Sequence, residues 1–169
     1  IGRFSEEKNH KGLIDAFKIF RFEKPESELW LIGDGPKRIE MEEYVKENNL
    51  TDSVKFLGLQ SNVYGYLHEA DVFTLPSTYE GIPMTLIEAM GTGLPIVATK
   101  VGGIPDMLTN EESAILTEVD SQEIAEAYLK LANDEALRKK LGQNALLRSR
   151  EFSSEKMAEK YIKIYKGEE

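Results

Sequence analysis

The chain has no cysteine, which excludes disulfides, thiolate nucleophiles and cysteine-held metals. It has only two histidines, His10 and His68, too isolated to suggest a metal site, and both read as structural or surface residues. No D-x-D occurs, so a metal-clamped diphosphate has no support, and Ser77 lacks the G-x-S-x-G frame of a serine hydrolase. Neither a G-x-G-x-x-G fingerprint nor a P-loop lysine motif is present, which counts against NAD and against Walker-type ATP hydrolysis. Positive charge is scarce: 21 Lys and Arg stand against 30 Asp and Glu, for a net charge of −9. With no basic stripe to follow a phosphate backbone, nucleic acid is not an expected partner. No apolar run approaches the roughly 20 residues that a membrane span requires. Internal repeats, linkers and low-complexity stretches are also missing.

What remains is a 169-residue chain, 41% apolar and 30% charged, of a length that suits one domain, 1–169. It opens I-G-R-F inside an apparent strand, without an initiator methionine, and reads as a fragment of a longer protein. Short β runs alternate with amphipathic helices, which argues for a parallel sheet covered on both faces. Strands are expected at 1–4, 29–32, 54–57, 72–75, 96–99 and 114–116. Helices are expected at 11–22, 37–48, 63–69, from Pro83, and at 124–132, 135–150 and 154–165. The last carries an apolar strip of Met157, Tyr161, Ile164 and Tyr165 that is either ordinary core or a surface left for a missing half.

The most informative stretch is E-G-I-P-M-T-L-I-E-A-M-G-T-G-L-P-I-V-A-T, from Glu80 to Thr99. Pro83 suits the first position of a helix, Gly91, Gly93 and Pro95 stop that helix, and Ile96-Val97-Ala98 reads as a buried strand. A helix start gathers free N–H groups and a positive dipole end, which suits an anion. Two carboxylates, Glu80 and Glu88, beside an anion site need another purpose, and hydrogen bonds to sugar hydroxyls supply one. The bland alternative is a loop carboxylate and a solvated helix residue, although Leu86, Ile87, Ala89 and Met90 around Glu88 argue against an open face.

In open α/β sheets ligands sit at the carboxyl ends of the strands. Arg3 with residues 5–10, Gly33 to Pro36, residues 58–62, the loop 76–82 and the turn 102–105 each follow an expected strand. A forked guanidinium at Arg3 and a point-charge ammonium at Lys8 suit a diphosphate. Taken alone, two surface cations are more often just solvated. G-D-G-P, with Gly33 and Gly35, is a turn of the kind that commonly just joins strand to helix.

Together these segments resemble the C-terminal half of retaining glycosyltransferases of the two-domain GT-B fold, family 4. The resemblance runs from G-R-F-S-E-E-K-N-H-K-G-L-I-D-A-F through L-W-L-I-G-D-G-P, V-K-F-L-G and A-D-V-F-T-L-P-S to V-G-G-I-P-D. Its E-x7-E element is matched by Glu80 and Glu88; Asp106 stands where a glutamate is more usual. The resemblance implies a Rossmann-like three-layer α/β/α sandwich with a parallel, roughly six-stranded sheet. It implies that Arg3 and Lys8 hold the diphosphate and steady the leaving group, that Glu80 touches the donor sugar, and that Glu88 meets the ribose hydroxyls. The amides of Gly81, Ile82, Met84 and Thr85 would face phosphates and sugar, Gly33 and Gly35 would border the nucleotide, and Leu57, Gly58 and Leu59 would border the base.

The expected activity of the parent enzyme is transfer of a sugar from a nucleotide diphosphate sugar, a UDP-sugar, to a glycan, lipid or small acceptor, with no cofactor and no metal. The acceptor-binding N-terminal domain would be a partner from the same protein. The expected location is cytoplasmic, with peripheral membrane association of the parent left open. Two other readings stay open at this level. One is a nucleotide-binding module without transferase activity; the other is a glycosidase with Glu80 and Glu88 as acid and nucleophile, about 5–9 Å apart.

Overall fold

A computed structural model describes residues 1–167. Five parallel strands, β1 (Leu29–Ile32), β2 (Val54–Gly58), β3 (Phe73–Leu75), β4 (Ile96–Thr99) and β5 (Ile115–Thr117), alternate with helices. The helices are α1 (His10–Glu23), α2 (Arg38–Glu47), α3 (Tyr64–Glu69), α4 (Met84–Thr92), α5 (Ile104–Met107), α6 (Ser121–Asn133), α7 (Glu135–Ser149) and α8 (Ser154–Lys166). The layers follow from the strand pleat. On β4 and β5, Val97 and Ile115 belong to one apolar cluster, with Leu13, Ile14 and Phe17 of α1 and Ile124, Tyr128 and Leu131 of α6. Ile96, Ala98 and Leu116 belong to the other, with Leu86 and Met90 of α4, Ile104 of α5 and Ala145 of α7. Successive residues thus feed opposite faces, as a sheet buried on both sides requires. The fold is a Rossmann-like α/β/α sandwich.

Local chemistry explains the helix starts. The Asn9 side chain accepts from the Gly12 amide at α1, Asp120 from the Glu123 amide at α6 and Asp134 from the Leu137 amide at α7. Each satisfies an amide that the first helical turn leaves free. Helix α7 passes close to the end of α4 because Gly142 has no side chain: a Cβ there would lie 2.0 Å from the Gly93 carbonyl oxygen.

Five details bear on the sequence expectation. The expected single sheet of about six strands is instead two sheets, β1-β2 and β3-β4-β5. Residues 1–4 form no strand; the amides of Gly2 and Phe4 donate to the carbonyls of Ile32 and Asp34, on one side only. Pro83 is the N-cap of α4 rather than its first helical residue. The turn after Gly103 winds into the short helix α5. The strip on α8 is not core: Met157, Tyr161, Ile164 and Tyr165 are each more than half exposed.

Candidate functional site

The carboxyl ends of β3 and β4 and the segment 1–10 meet around Glu80. Its loop, 76–82, is tied down from three directions. From the N-terminal side, the Thr78 amide donates to the Glu7 carbonyl (2.8 Å) and Asn9 Nδ2 donates to the Pro76 carbonyl (3.1 Å). From β4, Thr99 Oγ1 donates to the Ser77 carbonyl at 2.5 Å. From the turn beyond β4, the Gly103 amide donates to the Glu80 carbonyl at 3.3 Å. Gly102 passes so near that a Cβ there would stand 1.6 Å from the same carbonyl oxygen, and its φ of +52° is a conformation that L side chains rarely adopt.

Glu80 is buried, with 8% of its surface exposed. Its Oε1 accepts from Lys8 Nζ at 2.5 Å and from Ser77 Oγ at 2.6 Å. A buried carboxylate needs such partners, since desolvation without them costs several kcal/mol. Its second oxygen, Oε2, has no hydrogen-bond partner among the described residues. Lys8 closes a 3-10 turn, Glu6–Lys8, and is half-buried. Its ammonium has three donors, so one bond to Glu80 leaves two available. Arg3 is exposed and pairs with no carboxylate among the described residues. The two cations therefore differ: one is held by the site, the other is free.

Helix α4 begins beside Glu80. The Leu86 amide donates back to the Pro83 carbonyl, while Met84 and Thr85, in the first turn ahead of it, make no such backbone bond. Gly81, Ile82 and Met84 are exposed, and a Cβ on Gly81 would meet nothing within 4 Å. Glu88 lies half-buried about one turn in. It has no ion pair and no hydrogen bond among the described residues and stands outside the Glu80 network.

Gly33 and Gly35 pack on the segment 1–4. A Cβ at Gly33 would lie 1.9 Å from the Gly2 carbonyl oxygen, and one at Gly35 2.5 Å from that of Phe4. Their absent side chains let the segment carrying Arg3 lie against the end of β1. Gly58 joins through the bond from the Gly33 amide to its carbonyl, 2.8 Å. Leu57 is half-buried and Leu59 mostly exposed at the end of β2. His10 is buried and stacked on Phe4, ring centroids 4.1 Å apart. Burial, first, and then the positive charges of the Ile1 amine and Lys8 push its pKa down to about 4. His68 is exposed.

Sequence reasoning did not find Ser77, Asn9 or Thr99. Ser77 was weighed only as a nucleophile, whereas it donates to a carboxylate three residues on. The available signal was position: Thr99 ends a strand and Asn9 stands at a helix start. The turn Gly102-Gly103 also has a different basis, a close backbone approach to Glu80 and Gly81.

The sequence model of the family described as Glycosyl transferases group 1 matches residues 1–148. The chain belongs to that family. It is 35% identical over 168 residues to the lipopolysaccharide core biosynthesis glycosyltransferase LpsD of Rhizobium meliloti, a match covering 98% of this chain and 48% of that protein. Among solved structures, sucrose-phosphate synthase from Thermosynechococcus elongatus superposes with a TM-score of 0.89 at 30% identity, over 99% of this chain and 44% of that one. HepE from Anabaena, solved in complex with UDP, superposes with a TM-score of 0.90 at 24% identity, over 99% of this chain and 47% of that one. This group 1 glycosyltransferase chain thus spans about half the length of the relatives it matches, and its fold is that of their GT-B C-terminal domains. Among the described residues no helix is long and apolar enough to cross a membrane, and no three His, Asp or Glu side chains gather as metal ligands would.

Proposed function

We propose that residues 1–169 are the nucleotide-sugar-binding domain of a retaining, family 4 glycosyltransferase that uses a UDP-sugar and requires no metal. The observation that carries this reading is the shared seat of Lys8, Ser77 and Glu80 beside the open first turn of α4, with Arg3 free nearby. Lys8 keeps Glu80 with one N–H and offers the others to a diphosphate; Arg3 adds a forked contact. Glu80 Oε2 accepts from a sugar hydroxyl, and Glu88 accepts from the ribose hydroxyls. The amides of Ile82, Met84 and Thr85 face phosphate, Gly81, Gly33 and Gly35 keep the backbone low there, and Leu57, Gly58 and Leu59 border the base.

In the reaction, the bond between the sugar's anomeric carbon and the β-phosphate oxygen breaks as the acceptor oxygen bonds to the same face. The acceptor's proton leaves with the phosphate. Arg3 and Lys8 stabilise the negative charge that grows on the leaving diphosphate, an effect worth a few kcal/mol. Placing the acceptor is assigned to a further, N-terminal domain, and such positioning is worth about 7–11 kcal/mol. The chain alone therefore binds donor without transferring sugar. The parent enzyme works in the cytoplasm, on glycan or glycolipid acceptors.

Titration calorimetry in EDTA tests the reading with UDP, a UDP-sugar panel and uridine. UDP binds the unaltered chain, and Arg3→Ala and Lys8→Ala each weaken it about 10- to 100-fold, since a hydrogen bond to a charged group is worth about 1.5–3 kcal/mol. Uridine is barely affected by those two changes but weakens with Glu88→Gln. Binding that appears only with added magnesium or manganese, or equal losses for uridine and UDP at Arg3 and Lys8, overturns it.

A further inference from the structure

Lys8 and Ser77 reach Glu80 from two segments that are held together in register. The Thr78 amide donates to the Glu7 carbonyl at 2.8 Å, and Asn9 Nδ2 donates to the Pro76 carbonyl at 3.1 Å. The residue order runs opposite ways along the two segments, so Lys8 and Ser77 are the middle residues of a facing pair. Both then donate to one atom, Glu80 Oε1. Of the two bonds that flank them, the first joins backbone to backbone and makes no demand on side chains. The second depends on a single side chain, that of Asn9.

Three demands meet at Asn9. Its φ of 49° and ψ of 46° are left-handed, a conformation that Asn and Asp adopt more readily than other non-glycine residues. It is the N-cap of α1, and its Oδ1 accepts from the Gly12 amide at 3.2 Å, a task open to Ser, Thr, Asp or Asn. Its bond to the Pro76 carbonyl needs a donor as well. Asp supplies none, and the hydroxyl of Ser or Thr has one oxygen for both partners; only the amide carries an acceptor and a donor on separate atoms. That amide is also fenced in. A Cβ on Gly12 would lie 2.5 Å from Asn9 Nδ2 and 2.8 Å from Oδ1, so α1 carries a poor helix former where the Asn9 side chain fills the space.

We propose that Asn9 is a positioning residue of the candidate site: it keeps Lys8 and Ser77 seated on Glu80, and through Glu80 it sets how well the sugar of a donor is held. The link to the donor rests on the nucleotide-sugar reading; the seating of Lys8 does not. Without the bond to Pro76, the part of the loop that carries Ser77 is free to move away from Lys8. Glu80 Oε1 then loses one of the two donors that offset its burial. Lys8 keeps its other donors for a diphosphate, so the loss falls on the sugar.

Two variants test this. Asn9→Gly keeps the left-handed turn and removes the bond to Pro76, whereas Gly12→Ala retains Asn9 but places a Cβ where its amide lies. The first weakens the start of α1 and the second favours a helix, so a merely structural role gives opposite effects. Acetylation of Lys8 by acetic anhydride, followed by mass spectrometry, reads its seat with no nucleotide present. Both variants raise the Lys8 rate about fivefold, as loss of one hydrogen bond allows, and leave the exposed Lys139 unchanged. By calorimetry both weaken UDP-glucose about tenfold and UDP less than about twofold. In a Glu80→Gln background, Asn9→Gly costs UDP-glucose nothing further, since both changes act on one contact. Unchanged Lys8 rates in both variants overturn the proposal. So do losses for UDP-glucose that match those for UDP, or that add in full to the loss from Glu80→Gln. If the Lys8 rates respond but the unaltered chain binds no UDP, the seating of Lys8 stands and the nucleotide-sugar reading falls.

Discussion

Replacing Gly102 by alanine probes how the turn after β4 holds the candidate catalytic loop. The added Cβ would stand 1.6 Å from the Glu80 carbonyl oxygen and 2.7 Å from its carbon. Ordinary contact begins near 3.4 Å, so one of the two backbones must retreat by about 1.8 Å. No side chain can absorb this, because the obstacle is main chain. Alanine at a φ of +52° costs about 1–2 kcal/mol by itself. The retreat also breaks the bond from the Gly103 amide to the Glu80 carbonyl, worth about 0.5–1.5 kcal/mol. The sum, about 2–3 kcal/mol, lowers the unfolding temperature of a domain this size by about 5–10 °C. The functional effect is larger than the loss of stability. Glu80 Oε1 now sits 2.5 Å from Lys8 Nζ and 2.6 Å from Ser77 Oγ, and a shift of such size carries it out of hydrogen-bond range of one or both. UDP-sugar affinity falls more than tenfold by calorimetry at a temperature where the variant is folded. Gly91→Ala is the control: it lies in α4, its Cβ would meet nothing within 4 Å, and it is neutral or stabilises by about 0.5–1 kcal/mol. If the two variants match in unfolding temperature and donor affinity, the clamp described here does not exist.

Ser77→Ala removes one of the two donors on Glu80 and leaves Lys8 as the other. It weakens UDP-sugar several-fold, about 0.5–1.5 kcal/mol, with UDP unchanged; an equal loss for UDP would detach Ser77 from sugar binding. His10 sets an acid limit on stability. Its folded pKa lies near 4 against 6.5 for the free side chain, so the unfolded chain binds more protons between those values. Stability therefore drops as pH falls from 6.5 to 4, by about 3 kcal/mol in full, and does not change further below that on this account. His10→Phe keeps a ring on Phe4 and removes the titration. Urea unfolding at pH 7 and pH 4.5 should show a smaller acid loss for the variant, and an identical loss in both proteins refutes the assignment.

Much of this molecule was legible from local patterns. The helices α1, α2, α6 and α7 follow from their amphipathic runs, and β4 follows from an uninterrupted apolar run before a threonine. Glu80 and Glu88 stood out by their place at a helix start, and the structure places Glu80, not Glu88, in a bonded cluster with Lys8. These features depend on neighbours within a turn or two, and such energies are written in the residues themselves. The bond of Lys8 to Glu80, 72 residues apart, was not legible: strand ends put both residues at one edge of the sheet without pairing them.

Tertiary structure alone decided the rest. Ser77 became a carboxylate partner because Thr99 and Gly103 hold its loop, and neither spacing nor propensity reports a contact across strands. Gly102 is glycine because another backbone passes through the space of its Cβ. The apolar strip of α8 reads like core in sequence but is exposed, since periodicity shows that a face is apolar without showing what covers it. The sheet divides between β1 and β3 for a related reason. A strand's apolar run signals burial of its side chains, but its edge bonds depend on which other strand arrives beside it, and that is settled only when distant parts of the chain meet.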